Sequence, residues 1–227
     1  MPRTRSHLVW LPLVAMSLAC GAVVAAEPTA PKTVMATPGA EILSDDLSDM
    51  GKGWRAAKGE WTAADGALRG AERPADHHGA VTRHAVEFDD AVIAVSFRLD
   101  GAKSISLSIN DAGGHCCRVI ITSKGFSVRK DDHDHAGADK AVNFATKEVA
   151  FKPGEWHTLV LEIVGGKMLA RIGDDVGYGE HAMIDVGKTN IGLTVAGQSA
   201  AFRDLRVWAA ELKPDFSPGS LELTRAR

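Results

Sequence analysis

The chain has 227 residues, 45% hydrophobic and 24% charged, with 23 Gly and 9 Pro; this is globular composition, and it excludes disorder and collagen-like repeats. Its formal net charge is −3, and no basic block of five or more residues occurs, so nothing electrostatic points to nucleic acid. Aromatic residues are sparse, yet 5 are Trp, which marks the few large side chains as anchors of a core or a ligand face.

Residues 1–26 read as a secretory signal: Arg3 and Arg5 form the positive start, 8–19 the apolar stretch, and 24–26 (VAA) a small-residue cleavage site. Twelve apolar residues fall short of the roughly 20 a membrane span needs, and no other stretch is longer, so no transmembrane segment is expected. The expected location is therefore periplasmic or extracellular. The run 17–21 (SLACG) keeps a lipid anchor on Cys20 as the alternative. Residues 27–39 (EPTAPKTVMATPG) lack an apolar period and read as a tether, 40–210 as one folded domain, and 211–227 as a strap or a frayed tail.

Within the domain the hydrophobic period is two, with Gly or Asp at the breaks, and no window shows a helical period. The chain is all-β. In 92–100 (VIAVSFRLD) Ile93, Val95, Phe97 and Leu99 share a face opposite Arg98; in 103–110 (KSISLSIN) Ile105, Leu107 and Ile109 oppose the serines and Asn110. In 115–122 (HCCRVIIT) Cys117, Val119 and Ile121 point in while Cys116 and Arg118 point out, and in 126–132 Phe126 and Val128 oppose Ser127, Arg129 and Asp131. Gly113-Gly114 and Lys124-Gly125 supply the positive-φ positions of hairpin turns, so these four strands are expected to form one meander with a common polar face. Segments 156–164 and 167–172, joined by Gly165-Gly166, read as a further hairpin, and 190–196 with 201–208 as a closing pair. About ten strands then fit a two-sheet antiparallel sandwich.

The chemistry-bearing residues concentrate in three places. Lys130-Asp131-Asp132-His133-Asp134-His135 leaves the end of a strand; alternation puts His133 and His135 on one side with Asp131, a three-ligand set for one divalent metal ion, and Asp132 is a candidate base. A solvated acidic loop explains the same residues. Asp76-His77-His78-Gly79, with Arg83-His84, offers His78 as another base if it meets the first cluster, and His115, in a Gly-Gly-His turn, is a third; both also fit ordinary surface loops. On the polar sheet face Arg98, Asn110, Arg118 and Arg129, with small serines between, form a floor of donors for sugar hydroxyls or a sugar acid. The acid run of a retaining glycosidase is absent, as are the nucleotide, dinucleotide, serine-hydrolase and zincin signatures.

Three segments in order carry a resemblance. Gly53-Trp54-Arg55 with Gly59-Glu60-Trp61-Thr62 and Asp65-Gly66-Ala67-Leu68, then Pro153-Gly154-Glu155-Trp156-His157, then Ile191-Gly192-Leu193 with Phe202-Arg203-Asp204-Leu205-Arg206 resemble the 3-keto-disaccharide hydrolase, or 3-keto-glucoside lyase and hydratase, domains. The resemblance implies a concanavalin A-like jelly roll and a carbohydrate partner. In the middle of the chain the sequence departs from the family pattern: Lys103 and Ile109 stand where Asn and Arg are expected, Ser127 and Arg129 where Glu and Gln are, and Ala196-Gly197-Gln198 where a His-Gly is. By this resemblance the protein would be a metal-assisted 3-keto-glycoside lyase or hydrolase, with Asp131, His133 and His135 on the metal, Asp132, His115 or His78 as base, and Arg118 or Arg129 steadying anionic oxygen. Arg98, Asn110, Gln198 and Lys130 would bind substrate. The alternative is a noncatalytic glycan-binding module or an envelope scaffold using the same face.

Overall fold

The computed structural model describes residues 29–51 and 53–221, so the expected signal segment 1–26 and Cys20 lie outside the described residues. Among the described residues fifteen strands and two 3-10 turns follow one another: β1 (Ala36–Asp45), β2 (Trp54–Lys58), β3 (Glu60–Ala64), β4 (Ala67–Ala71), β5 (Ala80–Phe88), β6 (Ala91–Leu99), β7 (Ala102–Asn110), β8 (His115–Thr122), β9 (Gly125–Lys130), β10 (Val142–Glu148), β11 (Trp156–Val164), β12 (Lys167–Ile172), β13 (Asp175–Glu180), β14 (Lys188–Gly197) and β15 (Ala200–Leu212). They build the expected two-sheet antiparallel sandwich. One sheet has the order β13-β12-β11-β6-β15-β4-β3, with β1 also pairing β15; the other runs β10-β9-β8-β7-β14-β5-β2.

The inward residues read from alternation close the space between the sheets: Ile93, Val95, Phe97 and Leu99 of β6 meet Ile105, Leu107 and Ile109 of β7, Val119 and Ile121 of β8, and Phe126 and Val128 of β9. Each such side chain, removed from water, contributes about 1.5–3 kcal/mol. Trp54, expected as an anchor, sits in this core with its indole N–H donating to Asp45 at 2.9 Å.

The single four-strand meander is not formed. Strand β6 lies in the eight-stranded sheet and β7, β8 and β9 in the other, so the connection at residues 100–101 crosses the sandwich. The expected closing pair is also split, β14 and β15 belonging to opposite sheets. The two crossings lie side by side, the N–H groups of Asp100 and Ala102 both donating to the Ser199 carbonyl. Alternation tells which side chains face inward but is identical for either sheet.

A second apolar layer covers the outer face of the eight-stranded sheet. Met35 and Ala36 pack on Val92, Val160, Leu169 and Trp208, with Phe216 and Leu221 beside them. Strand β1 thus begins inside the stretch expected to be a tether, and β15 extends to Leu212, after which residues 213–221 cross the sheet as a strap. Glu162, fully buried, fixes this arrangement: its carboxylate accepts the backbone N–H groups of Val34, Met35 and Ala36 at 2.8, 2.7 and 2.6 Å. Three charge-assisted bonds compensate the desolvation of the carboxylate. Among the described residues the outer face of the seven-stranded sheet carries no such cover of strands, and it is the polar one.

Candidate functional site on the seven-stranded sheet

Cross-strand pairing sets a row of residues across that outer face: Arg55 of β2 opposite Arg83 of β5, Arg83 opposite Gly192 of β14, Gly192 opposite Ser108 of β7, Ser108 opposite Arg118 of β8, and Arg118 opposite Arg129 of β9. Two arginines therefore stand on each side of a two-residue gap. The gap is floored by backbone and a hydroxyl, because a Cβ on Gly192 would lie 2.4 Å from Ser108 Oγ, with the Arg83 stem and the Asn110 amide also close. Ser106, Ser108 and Asn110 face away from the core and are still only 4–6% exposed, as small side chains between long ones must be.

One step along the strands, a hydrogen-bond chain orients His115. Asn190 Nδ2 donates to Thr189 Oγ1 at 3.2 Å, Asn110 Nδ2 donates to Asn190 Oδ1 at 2.7 Å, and the Asn110 Oδ1 that remains lies 2.7 Å from His115 Nδ1. With Asn110 presenting its carbonyl oxygen, Nδ1 must be the protonated nitrogen, and Nε2 carries the lone pair. Burial, then the charges of Arg118, Arg83 and His135, hold the His115 pKa below its ordinary 6.5 against the opposing pull of Asp131. The imidazole is thus a neutral base at neutral pH. A bulge in β8 makes this possible: Ile109 pairs Cys117 while Asn110 pairs His115, so both His115 and Arg118 face outward. Both Cys116 and Cys117 turn inward as free, buried thiols. Cys116 had been expected outside, where simple alternation would put it.

Asp131 is not available to a metal ion. It is 2% exposed, with Arg118 Nε at 2.5 Å from one carboxylate oxygen and Arg129 Nε at 3.2 Å from the other. Two guanidinium groups on one carboxylate oppose a divalent cation. His133 Nε2 lies 2.8 Å from Asp111, and the ring of His135 stands edge-on to that of His115 at 5.4 Å. The expected Asp131, His133 and His135 ligand set therefore does not converge, and among the described residues no other group of three or more metal-ligating side chains does. The residues do not fit that metal.

Asp111 instead organises the loop. Burial alone would raise its carboxyl, but the interaction with His133 and the N–H groups of Gly113 and Gly114 outweigh it, and the carboxyl stays below its usual range. The His133 carbonyl accepts the His115 N–H and would lie 2.0 Å from a Cβ on Gly114, a close approach that only Gly permits.

Other expected site residues lie elsewhere. Arg98 is on the eight-stranded sheet, paired with Asp100 at 2.9 Å and set over the Trp156 ring at 4.9 Å. Lys130, 1% exposed, points inward and gives its ammonium to Asp139 and the Lys140 carbonyl, so it cannot touch a ligand on the floor. Asp132 faces Lys140 at 3.5 Å. His78 and Gln198 sit at the opposite end of the sheet: His78 precedes Ala80, which pairs Val195, and Gln198 follows β14 and packs on Gly101. From Ala80 to Ala85, the neighbour of Asn190, the strand rises about 17 Å at roughly 3.3 Å per residue, so His78 does not meet the 131–135 run. Of the residues singled out from sequence, His115, Asn110, Arg118, Arg129 and Asp131 come together. The sequence groups Arg83 with the 76–79 loop and Gly192 with the family pattern, neither with this floor; the signal that joins them is cross-strand register.

The comparisons agree with this architecture. The chain superposes on a protein of unknown function with a galectin-like fold from Bacillus subtilis with a TM-score of 0.60 at 12% identity, covering 79% of this chain and 100% of that one. A carbohydrate-binding module, CBM66, from Bacillus subtilis gives 0.58 at 12% identity over 70% of this chain and 96% of the other, and the Bacillus licheniformis beta-glucanase 0.56 at 10% identity over 75% and 98%. At such identity the likeness is one of fold. No curated protein sequence matches. Among the described residues no helix is long and apolar enough to cross a membrane. The family model for the 3-keto-alpha-glucoside-1,2-lyase-like domain matches residues 40–208, most of the chain and the sandwich from within β1 to within β15, so the chain belongs to that carbohydrate-related family.

Proposed function

We propose that the outer face of the seven-stranded sheet binds a sugar and that the protein is a 3-keto-glycoside lyase or hydrolase in which His115 is the base. The observation that carries this reading is the Asn190–Asn110–His115 chain, which presents a neutral imidazole with its lone pair on Nε2 beside Arg118. A ketone at C3 acidifies the hydrogen on C2. His115 Nε2 takes that proton, the electron pair moves into the enolate, and Arg118 steadies the negative oxygen. Collapse of the enolate forms the C1–C2 double bond and breaks the bond from C1 to the departing oxygen, which takes up a proton from the imidazolium. Addition of water across the double bond completes a net hydrolysis. No step passes through a metal ion. An expected leader over 1–26 would place this activity on glycans outside the cytoplasm.

The test is elimination from a synthetic 3-keto-glucoside, followed by ultraviolet absorbance of the enone. The wild type is expected to turn over, and His115→Ala to be slower by about 100-fold or more. Turnover unchanged in His115→Ala overturns the assignment of the base. Binding without turnover by the wild type favours a glycan-binding module, a reading supported by the hydroxyl-lined floor and by the departures from the family pattern at Lys103, Ile109, Ser127 and Arg129.

A further inference from the structure

Resting on the reading that this face binds a sugar, we infer that the saccharide it takes carries an acidic group, a carboxylate or a sulfate, held over Gly192 and Ser108 between Arg83 and Arg118. Four arginines lie in one register row, Arg55 and Arg83 on one side of the gap and Arg118 and Arg129 on the other. Three strand spacings separate Arg83 from Arg118, about 14 Å at roughly 4.8 Å per strand, a width within the combined reach of two arginine side chains, Arg118 keeping its Nε on Asp131 and offering its terminal nitrogens to the anionic group. The charge is not neutralised from within. Arg118 and Arg129 share the single carboxylate of Asp131, and among the described residues no ion pair is found for Arg55 or Arg83. Arg129 Nε is buried without a hydrogen bond. The register places Arg83 and Arg118 on the same outer face, on the two sides of the Gly192–Ser108 gap.

A neutral sugar would leave this row uncompensated; an acidic one would supply its counter-charge through charge-assisted, planar hydrogen bonds. The floor supports that placement, since Gly192 leaves the space where any other residue would put a side chain against Ser108.

The experiment is calorimetric titration of the wild-type chain with three glycosides sharing one aglycone, the 4-nitrophenyl β-glucuronide, glucoside 6-sulfate and glucoside. Both acidic glycosides, or either one, are expected to bind about tenfold or more tighter than the glucoside, to weaken in 0.5 M salt, and to lose most of that preference in Arg83→Ala, an exposed side chain that makes no ion pair among the described residues. Preference for the glucuronide alone identifies a carboxylate, and for the sulfate alone a sulfate. Equal binding of all three, no binding of any, or an unchanged preference in Arg83→Ala overturns the inference. Its failure is separable from that of the lyase reading: acid preference without elimination removes the chemistry and keeps the ligand class, and elimination from a neutral 3-keto-glucoside without acid preference does the reverse.

Discussion

At the level of single residues the decisive feature is which nitrogen of His115 holds the proton. Asn110 sets it, because its amide nitrogen is already committed to Asn190 and only its oxygen remains for Nδ1. Replacing Asn110 by Asp sets a carboxylate against the same Nδ1–H, which favours the imidazolium and opposes the depression caused by burial and the arginines. The His115 pKa, followed by the Cε1 proton in NMR, is expected below 6.5 in the wild type and above it in Asn110→Asp. Elimination should respond in kind: the wild type keeps activity as pH falls to 6.5, and the variant loses it at higher pH. A pKa unmoved by Asn110→Asp would show that the orienting bond is not made. Alternation alone already placed Arg118, Arg129 and Asn110 on the outside. It also placed Lys130 inside, and its choice as a ligand-binding residue went against the very pattern that located its neighbours. The geometry likewise bears on metal dependence, since Asp131 is held by two arginines; elimination is expected to survive EDTA, and a loss restored by one divalent ion would show that the bound state rearranges the 131–135 loop.

At the scale of elements, strands were legible wherever one face is buried, because Ile105, Leu107 and Ile109 alternating with serines admit only one orientation. Partnership was not. Glu162 reads as an outward residue in the middle of an apolar strand, and nothing near it in sequence shows that its carboxylate gathers the N–H groups of residues 34–36, more than 120 positions away. In Glu162→Gln one oxygen becomes an NH2 group that meets backbone donors, leaving buried groups unsatisfied at about 1–3 kcal/mol. The midpoint of thermal unfolding should fall by roughly 2–10 °C for a chain of this size, and hydrogen exchange should quicken first at Met35 and Ala36. Uniform exchange across the whole sandwich would mean that the clamp does not act on β1 locally. The bulge in β8 was equally silent: Cys116 and Cys117 are adjacent and both apolar enough to be buried, and only the pairing of His115 with Asn110 reveals the extra residue.

For the whole molecule, the connections between elements rest on carboxylates whose pKa values lie below the ordinary 3.8. Asp76 is lowered by the Gly59 N–H and Arg73, Asp111 by His133 and the glycine N–H groups against the cost of its burial, and Asp139 by Lys130 and the His133 N–H. A carboxyl depressed on folding adds stability that is fully present above its unfolded value and disappears as pH falls through the folded one. His115 acts in the same direction at higher pH: its depressed value means that the unfolded chain takes the proton first as pH drops below 6.5, so folding is disfavoured from there down. Stability to urea is therefore expected to be flat from pH 8 to 7, to decline gently from 6.5, and to fall steeply below about 4. Two variants separate the two causes. His115→Asn should abolish the gentle decline and keep the steep fall, while Asp111→Asn should lower stability at pH 7 and flatten the fall below 4, because the interaction it removes is the one that acid would have removed. A steep fall unchanged in Asp111→Asn would mean that the 111–115 turn and the 131–139 loop stay closed without that carboxylate, and that acid opens the sandwich elsewhere.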